Sequence, residues 1–327
     1  MKLPRLSHIA GLAALALAVG LTAAPAWAAA SGTFTTTGSM STVRTNDTAT
    51  LLRSGEVLIA GGAFGGTPTL TSAELYNPAS GTFTPTGSMV AQHVFQTATL
   101  LNNGQVLVAG GQGASGTALS SAELYNPATG KFTATGRMTT ARVQATATLL
   151  NNGQVLVAGG ETNTAELYNP ATGKFTATGS MDIGRMHGNA VLLQDGDVLV
   201  TSGISAGGPF AELYHPATGA WSDAIGGLTI CTPVQDCRFY SSETLLANGS
   251  VLVAGGMTGL ASNPSTTATA MVYNPATNAW TATGAMNTDR GQQTATLLNN
   301  GQVLVAGGIS FHTHRATELA SAELYTP

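Results

Sequence analysis

Six positions spaced 43 to 53 residues apart carry a side chain that can hold positive charge: Arg44, His93, Arg142, Arg185, Arg238 and Arg290. Gathered at one opening, five arginines and a histidine would form an anion-attracting ring, since guanidinium groups grip carboxylates and phosphates through paired N–H donors. The same residues also admit a structural use. Glu74, Glu123, Glu166, Glu212 and Glu323 recur in step with them. Five arginines against five glutamates favours pairing, because a carboxylate held between packed elements needs a partner. Met271 stands where a sixth glutamate would fall, which leaves Arg238 without a carboxylate in its own repeat.

Other chemistry-bearing residues lie close to these. His187 and Tyr240, two residues after Arg185 and Arg238, are expected to line the same opening, packed or facing a ligand. His312 and His314 sit at i and i+2 in an extended stretch and could share one side. A metal site there would need ligands beyond the nearby Glu318, so solvent-exposed loop histidines are the competing reading, and no metal or cofactor is expected. Cys231 and Cys237 are the two cysteines. A disulfide between them would stiffen the insertion 226–238, either to prepare a loop for binding or simply to stabilise a long connection. A redox or metal site would want closer spacing or further soft ligands.

The elements that must position these residues are read from internal repetition. The stretch Ala98–Gly111, ATLLNNGQVLVAGG, returns almost unchanged at Ala147–Gly160 and Ala295–Gly308, with looser copies from Ala49, Ala190 and Glu243. In each unit Thr-Ala-Thr-Leu-Leu reads as a first strand, and Asn-Gly as a hairpin turn with both residues at positive φ. Gln-Val-Leu-Val-Ala is the second strand, its unbroken apolar run indicating burial on both faces. After a variable loop come Ala-Glu-Leu-Tyr, the turn Asn-Pro-Ala-Thr-Gly, and Lys-Phe-Thr-Ala-Thr, the third and fourth strands.

The Gly-Gly pair closing the second strand, the Tyr-Asn-Pro turn, the aromatic of the fourth strand and the Arg ahead of the first resemble the Kelch family over nearly the whole chain past residue 28. The resemblance implies an all-β, six-bladed propeller of four-stranded blades. The chain stops at Glu323-Leu-Tyr-Thr-Pro327, after a third strand, while Ser31-Gly-Thr-Phe-Thr-Thr-Thr37 reads as a lone fourth strand. That N-terminal strand is therefore expected to close blade six, with Phe34 taking the place held elsewhere by Phe83, Phe132, Phe175, Trp221 and Trp280. Strand polarity puts the uniform turns on one face. The loops of individual length, including 257–269 and 309–321, fall on the other, around the channel mouth, where binding is expected.

Lys2 and Arg5, the apolar run Ile9–Ala24 and Ala26-Trp27-Ala28 read as a secretory leader over 1–28, with the propeller over 29–327. The expected location is secreted, periplasmic or at the cell surface. Twelve Lys and Arg less Lys2 and Arg5 leaves ten, against sixteen Asp and Glu. This acidic balance excludes a nucleic-acid partner. No later run approaches the roughly 20 apolar residues of a membrane span. Charged residues are only 9% of the chain, but 43% hydrophobic residues supply a core.

The resemblance covers enzymes as well as binders. A galactose-oxidase-like copper site would need two Tyr, two His and a Cys joined to a Tyr. Here Tyr76, Tyr125, Tyr168, Tyr214, Tyr273 and Tyr325 belong to the repeat, and both cysteines are accounted for by each other. A sugar mutarotase or sialic-acid enzyme would use an acid/base carboxylate beside arginines, and no carboxylate pair stands apart from the repeat. The expectation is a monomeric binding module for a glycan or protein segment, with a carbohydrate-active enzyme such as a sugar mutarotase or sialic-acid-processing propeller as the alternative and a purely structural spacer as a third reading.

Overall fold

The computed structural model describes residues 32–64, 69–186, 188–193, 195–201, 211–223, 240–258, 265–274, 279–312 and 315–327. Six antiparallel sheets of four strands are arranged as a β-propeller, each sheet ordered a–b–c–d from the axis outward. Blade three shows the unit complete, with strands Ala145–Leu149, Val155–Gly159, Ala165–Asn169 and Lys174–Ala177. The a-strands of blades one to four touch in sequence, and those of blades five, six and one continue the ring. They line the central channel.

Strand b explains why its sequence does not alternate. In blade one, Val57 and Ile59 pack with Leu304 and Ala306 of blade six. Leu58 and Ala60, on the other side of the same strand, pack with Val106 and Val108 of blade two. Both sides of the pleat therefore face a neighbouring blade, so burial is continuous and the hydrophobic contribution comes from blade-to-blade seams rather than from one central core. Polar fasteners repeat at the rim of these seams. The Tyr76, Tyr125, Tyr168 and Tyr214 hydroxyls each bond, at 2.9 Å, the threonine that follows strand d of the preceding blade: Thr37, Thr86, Thr135 and Thr178.

Blade six is closed as the sequence anticipates. Strand Thr33–Thr36 pairs antiparallel with Ala322–Thr326, setting Phe34 opposite Tyr325. Their rings lie 5.0 Å apart, close to the 4.8 Å of Tyr76 and Phe83 in blade one. Two local expectations are corrected. Among the described residues of the a–b turns only the glycine takes positive φ, for example Gly104 at 84°. Leu101 accepts from Gly104 N–H and donates to Gln105 C=O, and Asn103 Oδ1 accepts from Gln105 N–H. That is a turn relieved by a glycine bulge, and the asparagine serves through its side chain instead of its backbone. The long b–c segments of blades five and six are not plain loops. They hold two-stranded hairpins, Met257–Thr258 with Ser265–Thr266 and Ile309–His312 with Arg315–Glu318. The two hairpins pack together. Asp289 holds them, accepting from Ser310 Oγ at 3.0 and 3.1 Å and from Thr266 Oγ1.

Candidate functional site

Each described arginine of the recurrent set lies buried in its own blade and reaches the glutamate of strand c. Arg44 meets Glu74 at 3.2 Å, Arg142 meets Glu166 at 3.1 Å, Arg185 meets Glu212 at 2.9 Å and Arg290 meets Glu323 at 3.0 Å. Arg44 also donates to the carbonyls of Gly61 and Ser72 and to Ser72 Oγ. Arg142 and Arg290 repeat this with Gly159 and Thr164 and with Gly307 and Ser321. One guanidinium thus ties the end of strand b to the start of strand c. The carboxylate, in turn, caps the d–a connection: Ser41 and Thr42 N–H donate to Glu74. His93 takes the arginine's place in blade two. Its Nδ1 faces Gly110 C=O at 2.7 Å and its Nε2 faces Glu123 at 3.3 Å. Both ring nitrogens therefore meet an oxygen, the carbonyl on one side and the carboxylate on the other.

The electrostatics follow from this geometry. Burial alone would raise the Glu123 carboxyl, but the His93 hydrogen bond and the N–H groups of Val90 and Ala91 outweigh it and hold it below the ordinary carboxylate value. Glu166 is lowered in the same way, with burial opposed by Thr139, Thr140 and Arg142. Burial depresses Arg142 and Arg290, and Glu166 and Glu323 counter it. Each described cation is thereby neutralised inside its blade, and the pairs present no shared positive surface. Arg238 and His187 lie outside the described residues, as do Cys231, Cys237 and His314.

Two residues past each of these positions the chain turns sharply. Asn46, Phe95, Gln144, Tyr240 and Gln292 all take positive φ, between 56° and 59°. Their backbones form a belt across blades: Phe95 N–H donates to Asn46 C=O, Gln144 to Phe95, Asn46 to Gln292 and Gln292 to Tyr240. Left-handed backbone in non-glycine residues is strained and persists where surrounding contacts over-determine it. Here the second glycine of each Gly-Gly pair supplies the constraint. Gly62, Gly111, Gly160, Gly256 and Gly308 donate their N–H to the carbonyl of the next blade's Arg or His. The approach is so close that a Cβ on Gly61 would stand 2.6 Å from His93 O, which only glycine avoids.

The belt surrounds the mouth of the channel on the variable-loop face. Tyr240 is 36% exposed. Asn46, Phe95, Gln144 and Gln292 are half-buried, and Asn46 Nδ2 reaches Gln292 Oε1 at 3.3 Å. Reading the sequence for chemistry picks out the Arg positions and, of the residues two places after them, His187 and Tyr240. It misses Asn46, Phe95, Gln144 and Gln292, although all six stand two places after the Arg or His.

Two further arrangements are not legible in the sequence. Asp197, His215 and Ser222 replace the usual Gln, Asn and Thr of blade four together. They join in the order of a nucleophile relay: His215 Nδ1 lies 2.7 Å from Asp197 Oδ2, and His215 Nε2 lies 2.8 Å from Ser222 Oγ. The relay runs along the outer edge, with His215 33% and Asp197 27% exposed. Ser222 itself is exposed on strand Ala220–Asp223 of blade four. A groove of about 520 Å³ lies between blades two and three on the opposite, turn face, lined by Asn102, Asn103, Asn152, Gln154 and Asn169. It is built from turn residues that recur around the ring. Among the described residues no three His, Cys, Asp or Glu side chains cluster as metal ligands, and no helix is long and apolar enough to cross a membrane.

Residues 96–139, from the first strand of blade two to the start of blade three, match the Kelch motif. No curated protein matches the chain.

Proposed function

We propose that this six-bladed Kelch propeller is an exported binding module that takes up a glycan or a protein segment at the channel mouth. One observation carries the reading: the belt Asn46, Phe95, Gln144, Tyr240 and Gln292 changes chemistry from blade to blade, while the Arg–Glu pairs and turns behind it repeat. A scaffold needs repetition, and specificity needs difference. Aromatic rings beside primary amides suit a saccharide, whose C–H faces stack while its hydroxyls meet amide donors and acceptors. They equally suit an extended peptide. Export rests on the leader-like segment 1–28, and a Cys231–Cys237 bond would follow from an oxidising compartment.

The test is a glycan array and a peptide library probed with the protein lacking residues 1–28, followed by titration of the strongest binder against Phe95→Ala and Gln144→Ala. Each variant is expected to weaken binding at least about tenfold, the 1.4 kcal/mol of one lost contact, with an unchanged melting temperature. Binding unaltered in both variants removes the mouth as the site.

A further inference from the structure

Asp47 is a buried carboxyl that the repeat does not explain. It follows the belt residue Asn46, is 8% exposed, and neither carboxyl oxygen has a hydrogen-bond partner in a neighbouring residue. A buried polar group left unpaired costs stability, so such an atom calls for a role.

The equivalent residues of other blades show what the position does. Gln96 Nε2 donates at 2.8 Å to Ala60 C=O, the end of strand b in the preceding blade, and Gln293 Nε2 donates at 2.8 Å to Ala254 C=O. Each glutamine stitches its blade to the one before. Asp47 occupies the same pose at the seam of blades six and one, its Oδ1 3.6 Å from where a Cβ on Gly307 would stand, as Gln96 Nε2 and Gln293 Nε2 press on Gly61 and Gly255. The carbonyl corresponding to Ala60 and Ala254 is that of Ala306. A carboxylate has no hydrogen to give it, whereas a protonated carboxyl has one.

We propose that Asp47 is a proton-sensitive clasp: neutral, it donates its O–H toward the Ala306 carbonyl and stitches blade six to blade one as the glutamines stitch their seams; ionised, it releases that proton and sets a charge against carbonyl oxygen. The seam adjoins blade six, the blade in which the two ends of the chain pair to close the ring. It also carries the Gly308 N–H bond to Arg44 C=O and the Asn46–Gln292 link of the mouth, so pH acts on closure and mouth together. Burial pushes the Asp47 carboxyl up to about 7, against the opposing pull of Arg44 and of its own backbone N–H, with Glu74 adding to the rise. Arg44 and Glu74, paired with each other in blade one, are the charged groups acting on Asp47. Blade six presents Gly307. Because the folded value lies above the unfolded one, the stabilisation is complete below the unfolded value of 3.8 and is lost progressively as pH rises from there through the folded value of about 7.

The test compares thermal unfolding of the wild type, Asp47→Asn and Asp47→Gln from pH 5 to 8.5, alongside the carbon-13 shift of the Asp47 carboxyl in the wild type. The amide of either variant supplies a permanent donor. The wild-type melting temperature is expected to fall by several degrees relative to either variant between pH 5 and 7 and to run parallel to them above pH 7.5, with the carboxyl shift moving near neutrality. A constant wild-type-to-variant difference across the range, or an Asp47 carboxyl still ionised at pH 5, overturns the clasp. So does a wild-type melting temperature at pH 8 raised by millimolar calcium but not in Asp47→Asn, which would place a cation where the proton is assigned.

Discussion

Replacing His93 by arginine should make the protein more stable, because blade two holds an arginine's partners without an arginine. Arg44 donates to Gly61 C=O, Ser72 C=O, Ser72 Oγ and Glu74. His93 reaches only the equivalents Gly110 and Glu123. The consequence is visible at Ser121, whose buried Oγ has no partner while its counterparts Ser72 and Ser321 are engaged. His93→Arg restores two charge-assisted bonds, worth about 1.5–3 kcal/mol each. Fixing the longer side chain costs about 2 kcal/mol of that. The net gain is about 1–4 kcal/mol, or several degrees in melting temperature for a chain of this size. Calorimetry on wild type, His93→Arg, Ser121→Ala and the double variant forms a cycle in which Ser121→Ala is nearly neutral alone but removes part of the gain when combined with His93→Arg. A melting temperature lowered by His93→Arg, or a gain indifferent to Ser121, refutes the idea that the blades share one arginine socket.

Phe34→Ala should cost about 3–5 kcal/mol, as large core truncations do, because Phe34 packs on Tyr325 in the strand that closes the ring; an unchanged unfolding midpoint would mean the ring does not depend on that closure. Arg142→Ala leaves Glu166 buried without its cation and should cost about 3–5 kcal/mol, measured by denaturant unfolding, and a loss under about 1 kcal/mol would show the pair to be dispensable. Glu123 and Glu166 are held below the ordinary value of 4.5, so the stability they add is present above that pH and is lost as acid protonates them in the fold. Glu166→Gln should accordingly flatten the acid limb of a stability–pH curve, and an unaltered limb would count against the coupling.

The repeat makes the architecture readable, because a strand buried on both faces must be apolar throughout and Val57–Ala60 is. Ring closure is readable from a last unit of three strands and a lone fourth strand at the other end. The Arg–Glu pairing is visible as matched numbers, but whether the arginines face the channel or the blade interior depends on a rotation about strand ends that spacing does not encode. Asn103 departs from expectation for a similar reason. An Asn-Gly step serves a two-residue turn or a bulged one, and the longer Leu101–Gln105 connection selects the bulge. The belt is silent in the sequence because its signal is conformational. Nothing in the identity of Phe95 or Gln144 announces a left-handed backbone, which arises from the cross-blade bonds that the Gly-Gly pairs impose. Asp47 is likewise inconspicuous as a lone acid among threonines. It stands out only when Gln96 and Gln293 are seen donating across their seams.

The most direct measurement is a map of backbone amide shifts in the isotope-labelled protein as the strongest glycan or peptide binder from the arrays is added. The shifts are expected to gather at Asn46, Phe95, Gln144, Tyr240 and Gln292 and on the hairpins of blades five and six. Shifts gathered instead at Asn102, Asn103, Asn152 and Asn169, along the groove of the turn face, would contradict recognition at the channel mouth.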